Sequence, residues 1–128
     1  MRRSLVMLFL AVALFVSFIP RPAFAVRFTG GYLMQMCGVD KDGKEVAPGA
    51  HSACQSYISG VVDYHVLIRS LGTAPSVDFC IPKNVTLNDL QLIVETYLFK
   101  HEQEHRDFVA APAVALALYE AFPCSSSK

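Results

Sequence analysis

The sequence lacks several patterns that would assign it to a common functional class. It has no cluster of lysine and arginine, which argues against nucleic acid and anionic lipid as partners. It has no alternating strand pattern, no internal repeat, no glycine-rich phosphate loop and no dinucleotide fingerprint. Its four cysteines include no C-x-x-C pair, which argues against a thioredoxin-like redox site or a zinc knuckle. The length of 128 residues predicts one small domain.

The first 25 residues have the layout of a Sec signal peptide. Arg2 and Arg3 precede an uncharged apolar run, Leu5–Ile19, and Ala23-Phe24-Ala25 supplies the small residues that signal peptidase requires. The run is shorter than the roughly 20 residues that span a bilayer, which disfavours an uncleaved anchor. We therefore predict cleavage after Ala25, one mature domain over residues 26–128, and no membrane association after cleavage. That mature domain has eight basic and eleven acidic residues, a net charge of −3.

Helical periodicity runs through the mature domain and predicts an all-α fold, a small antiparallel bundle of about four helices. Each predicted helix has a recognisable start or end signal. The first helix follows Thr29-Gly30-Gly31 and reaches Cys37, and the second starts at a Ser52–Gln55 capping box and ends before Gly72. The third helix starts at a Thr86–Asp89 capping box. The fourth runs from Glu102 to Phe122, with a kink or break at Pro112.

The four cysteines are predicted to form two disulfides, because an exported domain of this size gains much of its stability from such cross-links. Cys37 ends the first predicted helix and Cys54 begins the second, so both belong at one end of an antiparallel pair. Cys80 precedes the third helix and Cys124 follows the fourth, which again places two cysteines together. We favour the pairs Cys37–Cys54 and Cys80–Cys124, although two other connectivities are compatible with the sequence.

Residues 101–105, His-Glu-Gln-Glu-His, match the H-E-x-x-H pattern of zinc metalloproteases. His101 and His105 could bind a metal from one helix face, with Glu102 as general base. A catalytic zinc needs a third protein ligand, and after Asp107, which adjoins the motif, Glu120 is the only acid further along the chain. We therefore predict a solvated helix start here, no catalytic residues, no metal and no cofactor, and we keep the three residues as the metal candidates. His65 lies on the apolar stripe of the second helix and is predicted to be a hydrogen-bonded core histidine.

The cysteine-bearing segments resemble the Rap/Tai family of type VI secretion immunity proteins, also described as amidase-immunity proteins. Three motifs carry the resemblance: C-x-x-Y-I-x-G-x-x-D from Cys54 to Asp63, F-C-I-P over residues 79–82, and F-P-C over residues 122–124. Together with the glycine-rich start at Gly30 they span nearly the whole mature chain.

The resemblance implies a non-enzymatic, disulfide-bonded, all-helical protein of the periplasm that binds a secreted peptidoglycan amidase and blocks its active-site cleft. It also implies a homodimer. The motifs match framework positions, so the polar loops at residues 38–50 and 72–79 are the expected contact surfaces. The alternative is a periplasmic helical stress or chaperone-like protein without a toxin partner.

Overall fold

A computed structural model describes residues 27–124 of the chain. The predicted signal peptide and the tail after Cys124 lie outside the described residues. Between them the structure has five helices and no strand, which confirms the predicted all-α fold. The helices are α1 Gly30–Cys37, α2 Ala50–Ser70, α3 Leu87–Lys100, α4 Glu102–His105 and α5 Ala110–Ala121.

Helix α1 begins at Gly30, two residues before the predicted start after Gly31, because Thr29 is its N-cap and accepts a hydrogen bond from the Tyr32 N–H. The glycine that follows has a packing role. A Cβ built on Gly30 would lie 2.4 Å from the carbonyl oxygen of His105. Only glycine allows the start of α1 to approach the end of α4 this closely.

Helix α2 begins at Ala50, two residues before the predicted capping box, so the Ser52–Gln55 prediction is wrong. Gly49, which follows Pro48, has a left-handed backbone (φ 82°) and brings the chain into the helix early. The Glu45 carboxylate then accepts the His51 N–H at 3.2 Å, so a loop residue satisfies a first-turn donor. The C-terminal prediction is confirmed, since Gly72 follows the helix with φ 77°.

Helix α3 begins with the predicted capping box. The Thr86 hydroxyl accepts the Asp89 N–H, and the Asp89 carboxylate accepts the Thr86 N–H at 2.8 Å. These hydrogen bonds lower the pKa of the Asp89 carboxyl below its usual value.

The single helix predicted over Glu102–Phe122 is wrong, because the chain forms α4, a short connection and then α5. The break lies at residues 106–109, and Pro112 is the third residue of α5. A first-turn residue has no intrahelical partner for its N–H, so proline is tolerated there without a kink. The break follows from contacts with α1, since the Phe108 and Arg106 carbonyls accept the N–H groups of Gly30 and Gly31.

The four longer helices all contact one another and enclose one core. Its buried side chains come from every one of them; the largest are Leu33, Ile58, Leu98, Leu118, Val94 and Val114. Both favoured disulfide pairs are confirmed, Cys37–Cys54 and Cys80–Cys124. No helix within residues 27–124 combines the length and apolar character needed to cross a membrane.

Candidate partner-binding surface

The H-E-x-x-H segment lies at the junction of α3 and α4. His101 stacks on Tyr97 with ring centroids 4.4 Å apart, and the buried His105 lies 5.7 Å from the same ring. Glu102 forms an ion pair with Arg106, which raises the pKa of the Arg106 guanidinium. The motif therefore forms a junction in which the glutamate already has a cationic partner.

The two histidines do not converge on a third ligand in the part of the chain that the structure describes. The imidazole rings of His101 and His105 are 6.4 Å apart, and neither Nε2 atom has a hydrogen-bond partner there. Across residues 27–124, no group of three or more His, Cys, Asp or Glu side chains is placed to hold a metal. Glu120 lies on α5 and pairs with Lys100 at 3.8 Å. The non-catalytic interpretation of the motif stays a prediction.

The two loops expected to contact a partner lie at opposite ends of α2. Residues 39–49 are all exposed and lie next to its N-terminus, whereas the segment from Leu71 to Thr86 follows its C-terminus. Because a helix rises 1.5 Å per residue, the 21 residues of α2 separate the loops by about 30 Å. Each loop is anchored by one disulfide, the first by Cys37–Cys54 and the second by Cys80–Cys124.

One side of α2 is an exposed apolar face that ends where the second loop begins. Tyr64, Leu67 and Leu71 are 64%, 51% and 69% exposed, and their spacing of three and four residues places them on one side of the helix. We call these three residues the α2 face. Exposed aromatic and leucine side chains in one row are typical of a surface that a partner covers.

A groove of about 710 Å³ lies between α2 and the second loop, on a different side of α2 from the α2 face. Its apolar lining comes from both sides and from α3: Val62, Val66, Ile81 and Leu90. Arg69 lies in the same groove and is about half exposed. The groove thus combines apolar side chains with one cation.

Three polar side chains hold the second loop against α2. His65 is only 8% exposed, and its Nε2 lies 3.0 Å from the Asp78 carboxylate. Arg69 Nε is 3.6 Å from the same carboxylate, and the His65 ring stacks on Phe79 at 3.7 Å. The prediction of a hydrogen-bonded core histidine at position 65 is confirmed. The arrangement fixes the loop backbone next to the groove.

Sequence reasoning identified the loop but missed the α2 face. The buried stripe of α2 includes Cys54, Ile58 and His65, and the exposed residues are offset from it by one or two positions. A signal was present, because Tyr64, Leu67 and Leu71 form a second apolar row that a single buried stripe does not need.

Comparison with known protein families shows the family of this chain. Residues 29–124 match the family model of the Rap1a immunity proteins. The chain belongs to this family. The match extends from the N-cap of α1 to Cys124, so it includes all five helices and both disulfides. No curated protein and no solved structure matches the chain significantly.

Membership in the Rap1a family makes this an immunity-type protein, whose expected partner is a secreted effector protein. Immunity families are generally non-catalytic and act by binding. The two disulfides indicate an oxidising compartment outside the cytoplasm. The α2 face is therefore the candidate partner-binding surface of this Rap1a family member, and the groove lies on another side of the same helix.

Proposed function

We propose that this chain is a periplasmic immunity protein that binds and blocks a peptidoglycan amidase delivered by type VI secretion. The match of residues 29–124 to the Rap1a family carries the proposal. The predicted signal peptide, cleaved after Ala25, and the two disulfides support export to the periplasm. The protein protects the producing cell from its own or a sister cell's effector.

The α2 face is the proposed contact with the effector. Tyr64, Leu67 and Leu71 have the i, i+3, i+7 spacing of a helix that lays its apolar side into a partner's cleft. Arg69 lies two residues from Leu67 and from Leu71, so its cation is in the groove on another side of α2. A single helical ridge with an adjacent loop suits an active-site cleft, because blocking such a cleft requires a protruding element.

Rigidity of the second loop supports this mode of binding. The Cys80–Cys124 disulfide, the Cys80 N–H bond to the Phe122 carbonyl at 2.8 Å and the His65–Asp78 contact all hold the loop. A surface that is already ordered loses less conformational entropy on association. Its shape is therefore available before the effector arrives.

The test is co-expression with the peptidoglycan-cleaving effector encoded beside this gene. Periplasmic production of that effector should arrest growth, and co-production of the immunity chain should restore growth and give a complex that survives purification. A chain without its first 25 residues should give no protection, because it stays in the cytoplasm. Absence of such an effector gene, or failure to protect and bind, would contradict the proposal. Binding to many unfolded clients would favour the chaperone-like alternative.

A homodimer is also proposed, through a different surface. Leu92 and Phe99 are 64% and 76% exposed and lie seven residues apart, on one side of α3. Leu92 also lines a groove between α3 and α5. Lys100 and Glu120, also at this groove, carry opposite charges. A two-fold partner could therefore pair each residue with its opposite charge on the second copy. Sedimentation of the mature chain should give a dimer, and Phe99→Asp should give a monomer that still binds the effector. An unchanged mass for Phe99→Asp would contradict this surface.

A further inference from the structure

The two disulfides have contrasting environments. Cys37 and Cys54 are completely buried in the core, between the end of α1 and the start of α2. Cys80 is exposed and Cys124 is half-buried, at the edge of the groove described above. An external thiol can therefore reach the Cys80–Cys124 sulfurs without unfolding the chain, whereas the Cys37–Cys54 sulfurs are shielded.

A cation lies against the accessible disulfide. Arg69 Nη1 is 3.2 Å from the Cys80 sulfur and 3.6 Å from the Cys124 sulfur. Thiol–disulfide exchange expels one sulfur as a thiolate, and a neighbouring guanidinium stabilises that negative charge. Arg69 reaches both sulfurs, so the leaving sulfur is close to the cation whichever one is attacked. Asp78, 3.6 Å from Arg69 Nε, is the carboxylate that shares this guanidinium.

We propose that Cys80–Cys124 is a thiol-exchange site and that its partner is a dithiol oxidoreductase of the same compartment. One thiolate of the dithiol attacks a protein sulfur, which forms a mixed disulfide and expels the other cysteine as a thiolate beside Arg69. The second thiol of the reductant then resolves the mixed disulfide. The reductant leaves oxidised, and Cys80 and Cys124 leave reduced, with two electrons transferred.

The surrounding backbone favours reversal of the reaction. The Cys80 N–H donates to the Phe122 carbonyl, and Phe79 pairs with Pro123 as an isolated antiparallel bridge. These contacts involve no sulfur, so they hold the two thiols close together after reduction. The site can therefore cycle between its oxidised and reduced forms while the core disulfide remains closed.

The experiment follows reduction of the folded mature chain by the neutral dithiol dithiothreitol. Samples are quenched with an alkylating reagent and each cysteine is quantified by peptide mass spectrometry. We expect Cys80 and Cys124 to be alkylated at least about tenfold faster than Cys37 and Cys54, because of their exposure and cationic neighbour. Circular dichroism during the reaction reports whether the helices stay folded.

Three variants isolate the contribution of Arg69. Arg69→Gln removes the cation at the sulfurs and should slow reduction by about threefold or more. Lys83→Gln removes an exposed cation from the same loop and should leave the rate unchanged, whereas Arg69→Lys should keep part of the acceleration. Equal rates for the two disulfides would overturn the proposal. An Arg69→Gln rate that equals or exceeds that of Lys83→Gln would remove Arg69 from it.

Discussion

The proposed contact of the α2 face with the effector gives a quantitative prediction for Leu71. This side chain is 69% exposed in the free chain, and complete burial of a leucine contributes about 1.5–3 kcal/mol. Covering the exposed two-thirds therefore contributes about 1–2 kcal/mol to binding. Leu71→Ser should thus raise the Kd for the effector by about five- to thirtyfold.

The matched control is Leu92→Ser, which removes a leucine of similar exposure (64%) from the opposite apolar groove. Both side chains are exposed in the monomer, so the free energy of unfolding of the monomer should stay within about 0.5 kcal/mol of the parent value in each variant. Isothermal titration calorimetry with the effector, with concentrations of the immunity chain given per protomer, should show a raised Kd for Leu71→Ser only. Equal affinities for the two variants, or a larger loss for Leu92→Ser, would refute the assignment of the α2 face.

Three further predictions concern the fold and the H-E-x-x-H segment. Gly30→Ala should destabilise the chain by about 1–3 kcal/mol, because its Cβ would overlap the His105 carbonyl. Gly60→Ala, at an open position of α2, should stabilise the chain by up to about 1 kcal/mol. Urea unfolding measures both changes, and similar shifts for the two variants would contradict the packing explanation. The lowered pKa of Asp89 means that its ionised form stabilises the fold above the usual carboxyl value of 3.8, and that this contribution is lost as the pH falls through the lower folded-state value. Asp89→Asn should therefore lose less stability than the parent chain between neutral pH and about pH 3, and an equal loss would contradict this role. Metal analysis of the purified mature chain should find less than about 0.1 zinc per chain. Glu102→Gln should protect cells as well as the parent chain does. Stoichiometric zinc in the parent chain, together with loss of protection by Glu102→Gln, would contradict the non-catalytic interpretation.

Local sequence signals predicted the features that depend on neighbouring residues. The Thr86–Asp89 capping box and Gly72 after α2 both lie where they were predicted. Each involves residues at most four positions apart, so the backbone geometry of the helix end determines it. The disulfide pairs were predictable for a related reason, because the order of helices and the cysteine positions at their ends restricted the choice.

Helix boundaries that depend on contacts with distant residues were predicted wrongly. Ser52 has the local pattern of a cap, but Gly49 and Glu45 start α2 earlier from outside the helix. Pro112 is a strong helix breaker in sequence, yet the interruption is at residues 106–109, where carbonyls bond the start of α1. In both cases a partner in a loop or another helix determined the boundary.

The sequence by itself determined a small helical chain with two disulfides, because composition and periodicity decide which surfaces must be buried. Only the tertiary structure decided which side chains surround each helix and each disulfide. Arg69, Asp78 and the Cys80–Cys124 disulfide are brought together by the return of the second loop and the C-terminal segment to α2. No local pattern encodes this arrangement, since it depends on side chains that pack across loops of different length. The same packing leaves the α2 face exposed beside a rigid loop, available to a partner.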